Sequence, residues 1–208
     1  MRLNRSSISI VVLIIFYFVG VVGVLFGDAK SFLLLTPANL LLTLFILLIN
    51  DRNINTHWRL FLITALGGLA IEIIGVNTAF PFGHYSYGAT LGWKLFQTPF
   101  IIGVNWLLLI YATNSIASYA NLTAFSKSML AAVLMVLLDF LIEPVAIAFD
   151  FWTWTAKAVP IENYIAWFLI SFGMSLFWQR SQFAFKQSIG ITIYLLQVLF
   201  FGCIFLWA

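Results

Sequence analysis

Apolar residues gather into seven long runs, at 8–27, 31–49, 58–77, 99–118, 128–149, 161–178 and 188–207, with short polar joints between them. Each run holds roughly 20 residues, the length that spans about 30 Å of hydrocarbon as an α-helix. The runs are continuous and lack the period-two alternation of a membrane barrel, so they predict helices rather than strands. The expected fold is all-α, a polytopic membrane helix bundle of about seven transmembrane helices. Pro37, Pro99 and Pro144 lie inside runs or at their start and predict kinks. No joint is long enough for a second folded unit, so residues 1–208 are expected to form a single integral membrane domain.

Composition agrees with this pattern. The chain is 63% hydrophobic and 8% charged, with a mean hydropathy of +1.06, outside the range of soluble domains. The first run is about twice the length of a signal-peptide core and ends in "FGDAK" without a small-x-small cleavage pattern, which predicts a retained helix. Cys203 is the single cysteine, so neither an internal disulfide nor a thiolate metal cluster is expected. The net charge of +3 does not point to nucleic acid, because the ten Lys and Arg residues are scattered over the joints.

Topology accounts for that charge better. With the N-terminus inside, Arg2, Arg5, Arg52, Arg59, Lys127, Arg180 and Lys186 fall on the cytoplasmic side, and only Lys30, Lys94 and Lys157 outside. The C-terminus is then outside, and the expected location is a bacterial inner membrane crossed several times. In this orientation the third and fifth runs both travel outward. The joints that follow them, 78–99 and 150–164, are long and rich in aromatic residues, which suits a lid or a binding loop.

Acidic residues carry the candidate chemistry. Asp28, Asp51 and Glu162 fall in joints, where hydration is expected to account for them. Glu72 sits in the third run about 7 Å, or five residues, before its outer end. Asp139, Glu143 and Asp150 follow the fifth run, and at 100° per residue they fall within about 40° of one another. Each charge facing lipid would cost on the order of 2.5 to 3.5 kcal/mol, so this acidic stripe is expected to face the bundle interior. Hydrogen bonds to Asn77, His84, Asn105 or Asn163 would be a purely structural reason for the acids. Alternatively, a neutral carboxylic acid beside an ionised one makes an acid and base pair.

Aromatic residues crowd the same end, in "FPFGHYSYG" at 80–88, at Trp93 and Trp106, in "FDFWTW" at 149–154 and in "NYIAWF" at 163–168. An interfacial belt explains part of this density. Aromatic faces also attract cations, so a pocket of them beside a carboxylic acid suits a reaction through a carbocation, or a flat apolar ligand. Gly23 with Gly27, and Gly67, Gly68 and Gly75, predict close helix packing. The run at 188–207 contains no lysine, which excludes a retinal Schiff base.

Taken together, "EIIGVNTAFPFGHYSYGATLG", "TPFIIGVNW", "LLDFLIEPVAIAFDFWTW" and "VPIENYIAWF" resemble the membrane carotenoid biosynthesis proteins that include the carotenoid 1,2-hydratases, most strongly over residues 67–172. The resemblance implies hydration of the terminal C1–C2 double bond of an acyclic carotenoid end group to a tertiary alcohol. It implies a lycopene-like or γ-carotene-like substrate, a lipid bilayer, other enzymes of carotenoid synthesis as neighbours, and no cofactor or metal. On the residues, Glu72 is expected as general acid, with Glu143 or Asp139 holding the attacking water. Asn77, His84, Tyr85, Asn105, Asp150, Trp152 and Asn163 are expected to line or support the site. An end-group cyclase begins with the same protonation and differs in having a dry pocket. A small proton-coupled transporter would also use intramembrane acids, but no inverted repeat or pair of broken helices supports it.

Overall fold

The computed structural model describes residues 4–51, 53–156 and 158–207. It is all-α apart from four very short strands, and its long helices follow the apolar runs. Helix α1 (Arg5–Phe26) opens on Asn4, whose side chain accepts a hydrogen bond from the Ser7 amide at 2.8 Å. The second run, expected as one helix, is broken into α2 (Ala29–Leu33) and α3 (Thr36–Asn50). Pro37 explains the break: it has no N–H to offer the preceding turn and fits the first turn of a new helix. Helix α4 spans Ile54–Thr78 and ends at Ala79 in a left-handed conformation (φ 62°). Next come α5 (Ile101–Ala117), α6 (Ala124–Ala148), α7 (Ile161–Arg180) and α8 (Gln187–Trp207).

Among the described residues, five spans are long and apolar enough to cross a membrane: α1, α2 with α3, α4, α6 and α8. Helix α5 is apolar but has only 17 residues, and the more polar α7 is not among the five. The protein is thus a helical, multi-pass membrane protein. Pro144 lies within α6 without ending it, whereas Pro99 stands ahead of α5 in a strand rather than at the helix start.

Helix α5 is the axis of the bundle and packs against α3, α4, α6, α7 and α8. Every residue from Trp106 to Ser115 is buried, so this helix has no solvent-facing or lipid-facing side over that stretch. The polar residues of that stretch are satisfied: Thr113, Asn114 and Ser115 donate to carbonyls one turn back, and Asn114 also donates to Ser175 Oγ on α7. On the outer helices large apolar side chains are exposed, for example Phe16, Phe45, Leu66 and Phe140, as a lipid-facing surface requires.

Two features of the joints differ from expectation. First, strands occur in them: β1 (Tyr85–Tyr87) pairs antiparallel with β4 (Trp152–Trp154), and β2 (Lys94–Leu95) pairs with β3 (Thr98–Pro99). Second, Asp51 is not hydrated but buried, and it accepts hydrogen bonds from the Tyr111 hydroxyl (2.6 Å) and the Asn53 amide (2.9 Å).

Candidate active site

Strand geometry builds the roof of the site. Side chains two apart on a strand share a face, so Tyr85 and Tyr87 point one way, as do Trp152 and Trp154. The register sets Tyr85 opposite Trp154 and Tyr87 opposite Trp152, with ring centroids 5.1 Å and 6.0 Å apart. All four polar tips reach down to carboxylates on the helices below.

Glu72, on α4, receives two of these donors and a third from α5. Its Oε2 accepts from the hydroxyls of Tyr85 (2.6 Å) and Tyr87 (2.7 Å), and its Oε1 accepts from Trp106 Nε1 (2.9 Å) on α5. Small residues allow this approach. A Cβ on Gly68 would stand 2.4 Å from Trp106 Cβ, and one on Gly75 would meet Phe82 at 2.5 Å and the Tyr85 hydroxyl at 2.9 Å. Burial first, and then the charge of Glu72, pushes the phenols of Tyr85 and Tyr87 well above their ordinary range. Both therefore remain protonated and act as donors.

Asp139 and Glu143, one turn apart on α6, form the other half. Glu143 Oε2 accepts from Trp152 Nε1 (3.0 Å) and Trp154 Nε1 (2.8 Å). The amide of Asn163 on α7 bridges the two acids, donating to Asp139 Oδ2 (2.9 Å) and Glu143 Oε1 (3.3 Å). Asp139 is fully buried, and its Oδ1 has no partner among the described residues. Such an oxygen is a natural seat for a proton.

Between the two halves lies a cavity bordered by Glu72, Glu143, Tyr85, Tyr87, Asn105 and Trp106. Its free space for water centres is about 20 Å³, room for a single water molecule. Asn105 borders it and makes no side-chain hydrogen bond among the described residues, which leaves its amide free to hold that water. Trp167 stacks on Trp106 (4.6 Å, 28° between planes) and closes one wall.

The expected site residues thus divide. Glu72, Asp139, Glu143, Tyr85, Asn105, Trp152 and Asn163 come together. Asp150 does not continue the acidic face, because α6 ends at Ala148 and Asp150 adopts φ 58°. It is exposed, and its carboxylate accepts from the Ala89 amide at 3.2 Å, tying the two capping loops. Asn77 is exposed and donates to the carbonyls of Ile73 and Phe96. His84 is exposed too, its carbonyl paired with the Thr155 amide. Tyr87, Trp106, Trp154 and Trp167 complete the site beyond the expected set. The alternation in "YSY" and "WTW" was the available signal for two of them.

The carotenoid biosynthesis protein family matches residues 31–208. The chain belongs to that family. The match is wider than the 67–172 of the sequence resemblance: it takes in the carboxylates, their cap and α8, and leaves α1 outside. Among curated proteins, bisanhydrobacterioruberin hydratase of Haloarcula japonica is 33% identical over 112 residues, which cover 48% of this chain and 36% of the relative. The chain therefore matches only about a third of the length of this family relative. No solved structure matches the chain.

Proposed function

We propose that this protein adds water to the terminal C1–C2 double bond of an acyclic carotenoid, giving a tertiary 1-hydroxy end group. The observation that carries this reading is the one-water cavity between Glu72 and Glu143, with the free amide of Asn105 on its border. Family membership and the similarity to a hydratase support it.

The hydrogen bonds favour a division of labour different from the sequence expectation. Glu72 accepts three donors, which favour its ionised form, so it serves as the anion. Its Oε1 carries one donor and keeps a free lone pair. Glu143 faces the cavity and shares a proton with Asp139 behind it. The free space holds only the water, so the end group enters by displacing the side chains of the roof; in the forward step the proton passes from Glu143 to C2, the π electrons form the new C–H bond, and C1 becomes a tertiary cation. The carboxylate of Glu72 and the faces of Tyr85, Tyr87, Trp152 and Trp154 stabilise that charge. Water held by Asn105 forms the C1–O bond and gives a proton to Glu72, from which it returns to the Asp139–Glu143 pair. The sum is one water added with no change of oxidation state.

The bundle is one domain over residues 1–208 whose seven runs cross a bacterial inner membrane, N-terminus inside and C-terminus outside, so that the cap lies at the outer face. The positive-inside distribution supports this orientation, and a carotenoid end group lies near a headgroup region there.

Co-expression in hosts that make lycopene or γ-carotene, followed by chromatography and mass spectrometry of the pigment, tests the reaction. The expected product is heavier by one water. Unchanged pigment with both substrates, from a well-expressed protein, overturns it; a cyclised, unhydrated product points to the cyclase.

A further inference from the structure

A second cavity lies between α1, α3 and α8, away from the capped carboxylates. Its volume, by the same measure, is about 370 Å³. Five rings border it: Phe16, Tyr17, Phe32, Phe200 and Phe201. Phe16, Val19 and Leu35 are half exposed at its rim, so it opens sideways to lipid.

One polar group in this cavity is without a partner among the described residues. Gln197 is 4% exposed, borders the cavity and makes no side-chain hydrogen bond among the described residues. The Tyr17 hydroxyl, in contrast, lies inside the wall beside the side chains of Thr43 and Asn39. An unpaired amide in the hydrocarbon-spanning part of a bundle is costly unless something pairs with it. An amide offers donors and an acceptor, and a guest hydroxyl can both accept and donate. Among the described residues no charged side chain borders the cavity, which suits an uncharged guest and disfavours a phosphate or carboxylate head.

We infer that this cavity is a second, non-catalytic binding site for a neutral isoprenoid chain tipped with a hydroxyl group, held by Gln197. The rings of Phe16, Phe32, Phe200 and Phe201 pack along the chain. The site's chemistry does not depend on the hydration proposal. A hydroxylated carotenoid made by the protein and an isoprenoid alcohol from the bilayer share the chemistry that would fill it.

The test uses the full chain in phosphatidylcholine nanodiscs, purified from a host without carotenoids, and titrated with all-trans-retinol by its fluorescence. Saturable binding is expected, with farnesol displacing retinol at least tenfold better than the hydrocarbon farnesene. Gln197→Leu should weaken retinol about tenfold, the effect of one hydrogen bond, and Ala38→Trp, which fills the cavity, should abolish it. Melting and size-exclusion profiles check that both variants are folded. Glu72→Gln should leave retinol binding unchanged, which separates this site from the carboxylate site whether or not hydration is confirmed. Absence of saturable binding, equal displacement by farnesene, binding to Gln197→Leu within twofold of wild type, or loss of binding in Glu72→Gln each overturns the inference. Mass spectrometry of co-purified lipids from hosts with and without lycopene then distinguishes the two sources of the alcohol.

Discussion

Asp51 and Glu72 are both buried carboxylates that accept a tyrosine hydroxyl at 2.6 Å, yet they sit in different kinds of place. Around Asp51 the bonds lead to the main chain: its second oxygen takes the Asn53 amide, and Tyr111 in turn accepts from the Lys186 amide at 2.8 Å. The arrangement ties the α3–α4 turn to the start of α8. Around Glu72 all three strong donors are side chains, from β1 and α5, and a cavity lies beside it. Burial alone therefore says little about an acid. The origin of its donors, and what space its remaining lone pairs face, say more.

The largest expected effect comes from removing the charge at the second of these acids. Glu72→Gln should lower pigment hydration about a thousandfold, within the usual range for a lost acid or base. Asp51→Asn should leave activity per folded molecule within about twofold and lower the melting temperature instead, by roughly 2–4 °C for each kcal/mol lost. If the two variants behave alike, the contrast between the sites is wrong. Asp139→Asn keeps an acceptor for Asn163 but removes the proton seat, and should slow hydration about a hundredfold without loss of thermal stability. Activity near wild type would remove Asp139 from the proton path.

Smaller effects sharpen the picture. Asn105→Leu should cut the hydroxylated product about tenfold and raise the share of unhydrated, rearranged pigment, measured as a ratio by mass spectrometry. Trp154→Phe removes one of two indole donors to Glu143 and should cost about fivefold in rate. Tyr111→Phe at the other end should cost only stability, with a melting point lower by a few degrees and unchanged turnover per folded molecule.

How much of this was legible in the sequence depends on range. Glu72, Asp139 and Glu143 stand out because acids within apolar runs need a reason, and helical periodicity pairs the last two correctly. The same periodicity misplaced Asp150, because it was carried past the end of α6, where the backbone turns to φ 58°. Asn77 stands about 140° around α4 from Glu72, since five residues at 100° make one turn and 140°. Its distance from the cluster follows from that angle. A place in a joint predicts hydration for Asp51, and nothing local shows that Tyr111, 60 positions away, would bury it. The roof was hidden for the same reason: β1 and β4 are 67 residues apart, and their register arises only when α4 and α6 are both packed on α5.

Helix α5 has a bearing on how the chain is made. It is enclosed on every side, and its Ser115 and Tyr111 meet α8 so closely that a Cβ on Gly190 would stand 2.1 Å from Ser115 Oγ. The ribosome finishes α5 about 70 residues before it begins α8, counting from Ala117 to Gln187. During that interval Ser115 and Tyr111 lack the α8 surface that eventually covers them, and α5 is short for crossing on its own. The bundle is thus closed from its C-terminal end, and a nascent chain stalled before α8 should be the form that quality-control proteases recognise.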